Sequence, residues 1–185
     1  MEIKGTAVVA IRDFVKERYP DKFRLWYDSL PEESKVIFSG PVDFTKWYSL
    51  DYAAAIPTKA VGKLFFDNDL KKGAWESGRY SAEIALKGIY KIFVRVSSPS
   101  YLIARASRVF STYYRPCEMK SIKNEGNNLV LQISEMPNSE RVIEFRIAGW
   151  IEKALEISGS KDIDVEITKS MVQGDAITEF TIHWE

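Results

Sequence analysis

The last third of the chain constrains the fold most. From Pro116 onward, two stretches that alternate apolar and polar residues flank one stretch with helical spacing. CEMKSIKNEGNNLVLQISEM reads as two strands around the turn Glu125-Gly126-Asn127-Asn128, because period-two alternation sends successive side chains to opposite faces and a Gly-Asn pair suits a tight hairpin. SERVIEFRIAGWIEKALEISG then repeats apolar residues at Ile143, Ile147, Ile151 and Leu155, and Gly159 ends it. DIDVEITKSM and AITEFTIHW follow, joined across Val172-Gln173-Gly174-Asp175, as a second hairpin. The order is ββαββ, which predicts a four-stranded antiparallel sheet covered by one helix.

The residues before Pro116 read as helices. Val8, Ile11, Val15 and Tyr19 recur at helical spacing until Pro20. Pro20 and Asp21 open a second segment that buries Phe23, Trp26, Tyr27 and Leu30 on one side. PEESKVIF forms a short third, ended by Ser39-Gly40-Pro41. Ser49 is placed to cap LDYAAAIPTKAVGKLFF, in which Pro57 lacks an amide donor and should kink or split the helix. Ala85, Ile89, Ile92, Phe93 and Val96 continue a helical stripe, although IYKIFVRV alone would also pass for a strand. Ser98-Pro99 starts a further helix, SYLIARASRVFSTYY, with Leu102, Ala106, Val109 and Tyr113 turned inward. The expected class is α+β: an N-terminal helical part over residues 1–115, then ββαββ over residues 116–185, in one domain spanning 1–185.

Composition fits that size. Of 185 residues, 45% are hydrophobic and 13% aromatic, enough for a full core in a single domain. Lys+Arg and Asp+Glu both number 26, so no net field argues for a nucleic-acid partner or a charged membrane surface. Nowhere do about 18 apolar residues run together, so no membrane insertion is expected. Arg12 and Asp13 interrupt the apolar start, which does not read as a signal peptide. Cys117 is the one cysteine and has no internal disulfide partner. The expectation is a soluble cytoplasmic protein.

Local catalytic and cofactor signatures are missing: there is no GxGxxG, GxxxxGK[ST], HExxH or CxxC. The one histidine, His183, alternates with Phe180, Ile182 and Trp184 and so falls on the polar face of the last strand with Glu179, Thr181 and Glu185. That is the position of a solvated residue and not of a ligand or a triad base. Two features rise above this background. Arg105, Arg108 and Arg115 flank the apolar face of the helix from Pro99, next to Tyr113 and Tyr114. These five residues could hold a carboxylate or phosphate against aromatic rings; snorkelling at the edge of a buried helix is the commoner use of such arginines. Trp26, Trp47, Tyr48, Tyr52, Phe65, Phe66 and Trp75 could line a cavity for an apolar ligand, or simply fill a core.

The opening MEIKGT, the stretch FSGPVDFTKWYSLDY, the run IYKIFVRVSSPSYLIARASRVFSTYYRP and the spacing of Gly174, Phe180 and Ile182, set before and within ββαββ, carry a resemblance. The chain resembles, over nearly its whole length, the superfamily of haem-nitric-oxide-binding (H-NOX) domains, bacterial 4-vinyl reductase domains and TRAPP vesicle-tethering subunits. It is most similar to an uncharacterised bacterial family within it found in myxobacteria. In H-NOX domains, a histidine on the helix before the PSYLIA-like segment ligates haem iron and a Tyr-x-Ser-x-Arg motif holds the propionates. Here Ala85 to Phe93 contains no histidine and the motif is absent. The resemblance therefore implies a non-enzymatic small-molecule-binding or sensor module without haem or other cofactor, taking a small apolar or acidic ligand. Its alternative is a dimeric protein-interaction scaffold of the TRAPP kind, with a second copy or another protein as partner.

Overall fold

The computed structural model describes residues 1–86 and 110–185. In chain order these form β1 (Glu2–Lys4), α1 (Gly5–Arg18), a 3-10 turn (Pro20–Lys22), α2 (Phe23–Asp28), α3 (Glu32–Phe38), β2 (Trp47–Ser49), a π-helical turn (Asp51–Ala55), α4 (Ile56–Phe65), α5 (Leu70–Leu86), β3 (Tyr114–Arg115), β4 (Met119–Glu125), β5 (Asn128–Ile133), α6 (Arg141–Ser158), β6 (Asp164–Lys169), a 3-10 turn (Met171–Gln173) and β7 (Thr178–His183). The class is α+β, as the alternation and the helical spacing predict.

The ββαββ unit forms a four-stranded antiparallel sheet in the order β4-β5-β7-β6. Leu131 pairs with Phe180 and Leu129 with Ile182, which pairs in turn with Val165. These side chains share the inner face and are buried, while Thr181 and His183 point to solvent. Helix α6 lies in the core with Ile143, Ile147, Ile151 and Leu155 at most 1% exposed, each burial contributing roughly 1.5–3 kcal/mol. Gly159, at φ +100°, ends it.

Helix α5 packs on α6 at very short range. A Cβ on Gly78 would stand 2.0 Å from the carbonyl oxygen of Arg146, and one on Gly149 would stand 2.2 Å from that of Trp75. Two glycines, one on each helix, thus let backbone approach backbone. Arg79 reinforces the seam by pairing with Glu152 and Glu156 on the exposed side.

The helical part departs from its sequence reading in four places. Three short strands pair there in the order β2-β1-β3, with Ile3 opposite both Tyr48 and Tyr114. Strands of two or three residues are too short to show alternation, and helix-like neighbours conceal them. Ser49 ends β2 and does not cap; the helix entrance at Leu50 has no side-chain cap. Pro57 does not interrupt its segment: it is the second residue of α4, just past the junction where the π-helical turn passes into α-helix, and the backbone stays helical through it. Finally, the helix entering Pro116 stops at Tyr113, and Tyr114 belongs to β3. The stripe beyond Leu86, the Ser98-Pro99 cap, and Leu102, Ala106 and Val109 lie outside the described residues.

Candidate functional site

Arg146 lies inside an otherwise apolar stretch of α6, VIEFRIAGWI, and is 3% exposed. Its guanidinium reaches across the seam to α1 and β3. Nη1 donates to the Tyr114 hydroxyl at 3.1 Å, and Nη2 donates to the Ala7 carbonyl at 3.0 Å and the Ser81 hydroxyl at 3.4 Å. Nε is buried with no partner. All three acceptors are neutral, although a buried cation is ordinarily paired. The other charge in the same stretch, Glu144, is 1% exposed and committed elsewhere: it accepts from Ser170 (2.8 Å), Thr178 (2.6 Å) and Arg141 (2.5 Å). That set fastens the start of α6 to the β6–β7 connection.

A small chamber of about 20 Å³ adjoins Arg146, walled by Ala7, Gly78, Ser81, Phe110, Tyr113, Tyr114, Ile147 and Trp150. Phe110 stacks on Tyr114 at 6.2 Å and meets Trp150 edge-on at 5.3 Å. Burial pushes the Tyr114 phenol above its ordinary pKa, outweighing the nearby guanidinium, so Tyr114 keeps its proton at neutral pH.

The five residues singled out by sequence separate. Arg105 and Arg108 lie outside the described residues. Tyr113 and Tyr114 both line the chamber. Arg115, next along β3, faces the other way: it is exposed, lies over the Trp47 ring at 4.2 Å and pairs with Glu2 at 2.5 Å, holding that carboxyl below its usual range. The aromatic set scatters instead of lining one cavity. Trp26 is fully buried and donates to the Pro57 carbonyl at 3.1 Å; Trp47, Tyr48, Tyr52, Phe65, Phe66 and Trp75 are half-buried and none touches the chamber. Arg146 and Ser81 escaped the sequence reading. The available signal was two charges, Glu144 and Arg146, inside ten residues that are otherwise apolar or glycine.

Elsewhere, Cys117 sits at the helix-to-sheet junction, where burial and then Glu135 push its thiol up to about 12. His183 is exposed, with Nδ1 3.1 Å from Asn128 Oδ1. A wider depression of about 530 Å³ between α1, α2 and residues 39–41 is open to solvent, with Arg12 held by Asp13 and the Gly40 carbonyl and Arg24 held by Asp28. Among the described residues no helix is long and apolar enough to cross a membrane.

The chain matches no protein-family model and no curated protein. Solved structures do match. An H-NOX protein from S. oneidensis in the Fe(II)NO ligation state superposes with a TM-score of 0.73 at 14% identity, with 99% of each chain covered. The Fe(II) unliganded H-NOX protein from K. algicida gives a TM-score of 0.64 at 14% identity, covering 99% of this chain and 97% of that one. A mutant of T. tengcongensis H-NOX gives 0.64 at 13%, covering 99% and 98%. At such identities the likeness shows the fold: the chain has an H-NOX-like α+β fold.

Proposed function

We propose that this chain is a small-molecule-binding or sensor module on the H-NOX-like fold, one that works without haem and catalyses no reaction. The observation that carries the reading is the chamber between α1, α5 and α6, where aromatic walls meet a buried guanidinium and two hydroxyls. Pockets for small ligands combine apolar walls with a few convergent polar groups in this way. Tyr113 and Tyr114 belong to the proposed site. Arg105 and Arg108 keep their proposed role of holding a carboxylate or phosphate. Arg115 stands apart at the surface.

The histidine count supports the haem-free part: the single histidine of the chain is on the solvent face of β7, so the described residues offer no buried imidazole to a haem iron. The lone Cys117, with no disulfide partner in the chain, agrees with a reducing, cytoplasmic setting.

Native mass spectrometry of the purified chain, paired with haem titration, tests the reading. The expected result is a monomer or dimer carrying a reproducible mass that leaves on denaturation, with no stoichiometric Soret band after haem is added. A strong Soret band overturns the haem-free reading. A ligand-free mass at twice the chain favours the dimeric TRAPP-like scaffold.

A further inference from the structure

We infer that the ligand of this chamber is a small monovalent anion, such as a halide or formate, held as the counter-ion of Arg146. The inference rests on the reading of the chamber as the ligand site and names what enters it.

Charge balance is the first reason. Arg146 is 3% exposed, its three partners are neutral, and its Nε hydrogen is unclaimed. A guanidinium cannot shed its proton to escape this, because it stays charged at any accessible pH. Glu144 cannot serve, since its carboxylate is engaged by Ser170, Thr178 and Arg141. Nor can residues 87–109: the sequence KGIYKIFVRVSSPSYLIARASRV contains five Lys and Arg and no Asp or Glu. Among the described residues no carboxylate is in hydrogen-bond or ion-pair contact with Arg146, so its counter-charge is assigned to a bound anion.

Donor geometry is the second. The Tyr114 and Ser81 oxygens accept hydrogens from Arg146, which leaves each hydroxyl its own hydrogen to donate. Ser81, Tyr114 and Arg146 all line the same chamber. Nε–H and two O–H groups thus offer three donors and no carboxylate in one enclosure, the pattern of an anion site. Aromatic ring edges carry partial positive charge, and Phe110 and Trp150 belong to the wall.

Size is the third. A volume of about 20 Å³ exceeds the roughly 10–15 Å³ that admits one water. It suits an occupant of about the size of a water molecule or a small anion and excludes a nucleotide or a fatty acid. A water alone would fill the space without answering the charge.

The test uses the full chain dialysed into gluconate buffer, too bulky an anion for the chamber. Thermal unfolding is then followed while gluconate is exchanged at constant ionic strength for chloride, bromide or formate. Saturable stabilisation by at least one of these is expected. Arg146→Met should abolish it, and Tyr114→Phe and Ser81→Ala should each weaken binding by at least fivefold. If Arg146→Met fails to fold, the two milder variants decide the matter. A wild-type response no different from gluconate, or one that survives all three variants, overturns the anion site. A larger organic acid that co-purifies and is lost in Tyr114→Phe overturns the small-anion inference while leaving the ligand-binding reading in place. Absence of both a bound mass and an anion response overturns the two together.

Discussion

Replacing Gly78 by Ala tests the close seam on which the site depends. The new Cβ would lie 2.0 Å from the Arg146 carbonyl oxygen, 2.9 Å from its carbon and 3.1 Å from its Cα. Ordinary contact begins at 3.4 Å, so α5 and α6 must separate by about 1.4 Å at that point. The obstacle is helical backbone and has no rotamer to escape into. Overpacking of a well-filled interior costs about 1–3 kcal/mol, and backbone against backbone places this substitution at or beyond the upper end. Alanine returns about 1 kcal/mol of helix propensity. The net expectation is a loss of about 2 kcal/mol, or about 4–8 °C in Tm for a chain of this size. Urea unfolding with matched m-values and calorimetry both read it. Gly149→Ala, 2.2 Å from the Trp75 carbonyl, should behave alike. The double variant should cost less than the two losses together, since one separation relieves both clashes. A Gly78→Ala protein at least as stable as the wild type refutes the seam, and with it the enclosure of the chamber.

Removing the Glu144 carboxylate as Glu144→Ala strips the acceptor from two buried hydroxyls and from Arg141, and a loss of about 3 kcal/mol or more in urea unfolding is expected, because each hydrogen bond to a charged group contributes about 1.5–3 kcal/mol; a change below about 1 kcal/mol would contradict the fastening role. Alkaline stability should depend on Cys117: its folded thiol is pushed up to about 12 from an ordinary 9.0, so the folded state holds its proton longer than the unfolded chain. That stabilisation is complete below about pH 9 and is lost as pH rises towards 12. Urea midpoints of Cys117→Ala should therefore fall less steeply above pH 9 than those of the wild type, and parallel curves would show the burial to be wrong.

What was legible in the sequence follows from how each signal is encoded. The ββαββ unit was readable because its strands run to six or seven residues with one wet face, so Phe180 and Ile182 alternate with Thr181 and His183. The same periodicity correctly sent His183 outward. Strand β1 was not legible, because Glu2, Ile3 and Lys4 become a strand only through partners at Tyr48 and Tyr114. The site was half legible. Tyr113 and Tyr114 stood out beside arginines, whereas the arginine that reaches the chamber comes from α6 and meets them only in three dimensions. Period counting passed over Arg146, since it weighs apolar residues and treats a charge among them as noise.

The three-stranded sheet also bears on the route by which the chain folds. The hairpins β4–β5 and β6–β7 close over short connections, but β1 must find β3 across the chain, with Glu2 and Arg115 separated by 113 residues. Closing a loop of that length costs about 4 kcal/mol of entropy before any contact repays it. Such pairings are expected to form after local ones, so the β1–β3 contact should follow the two hairpins. Tyr114 sits opposite Ile3 in that pairing and also receives the Arg146 hydrogen bond. Formation of that contact and completion of the chamber are then linked, and a ligand that fills the chamber would be expected to slow the release of the first strand.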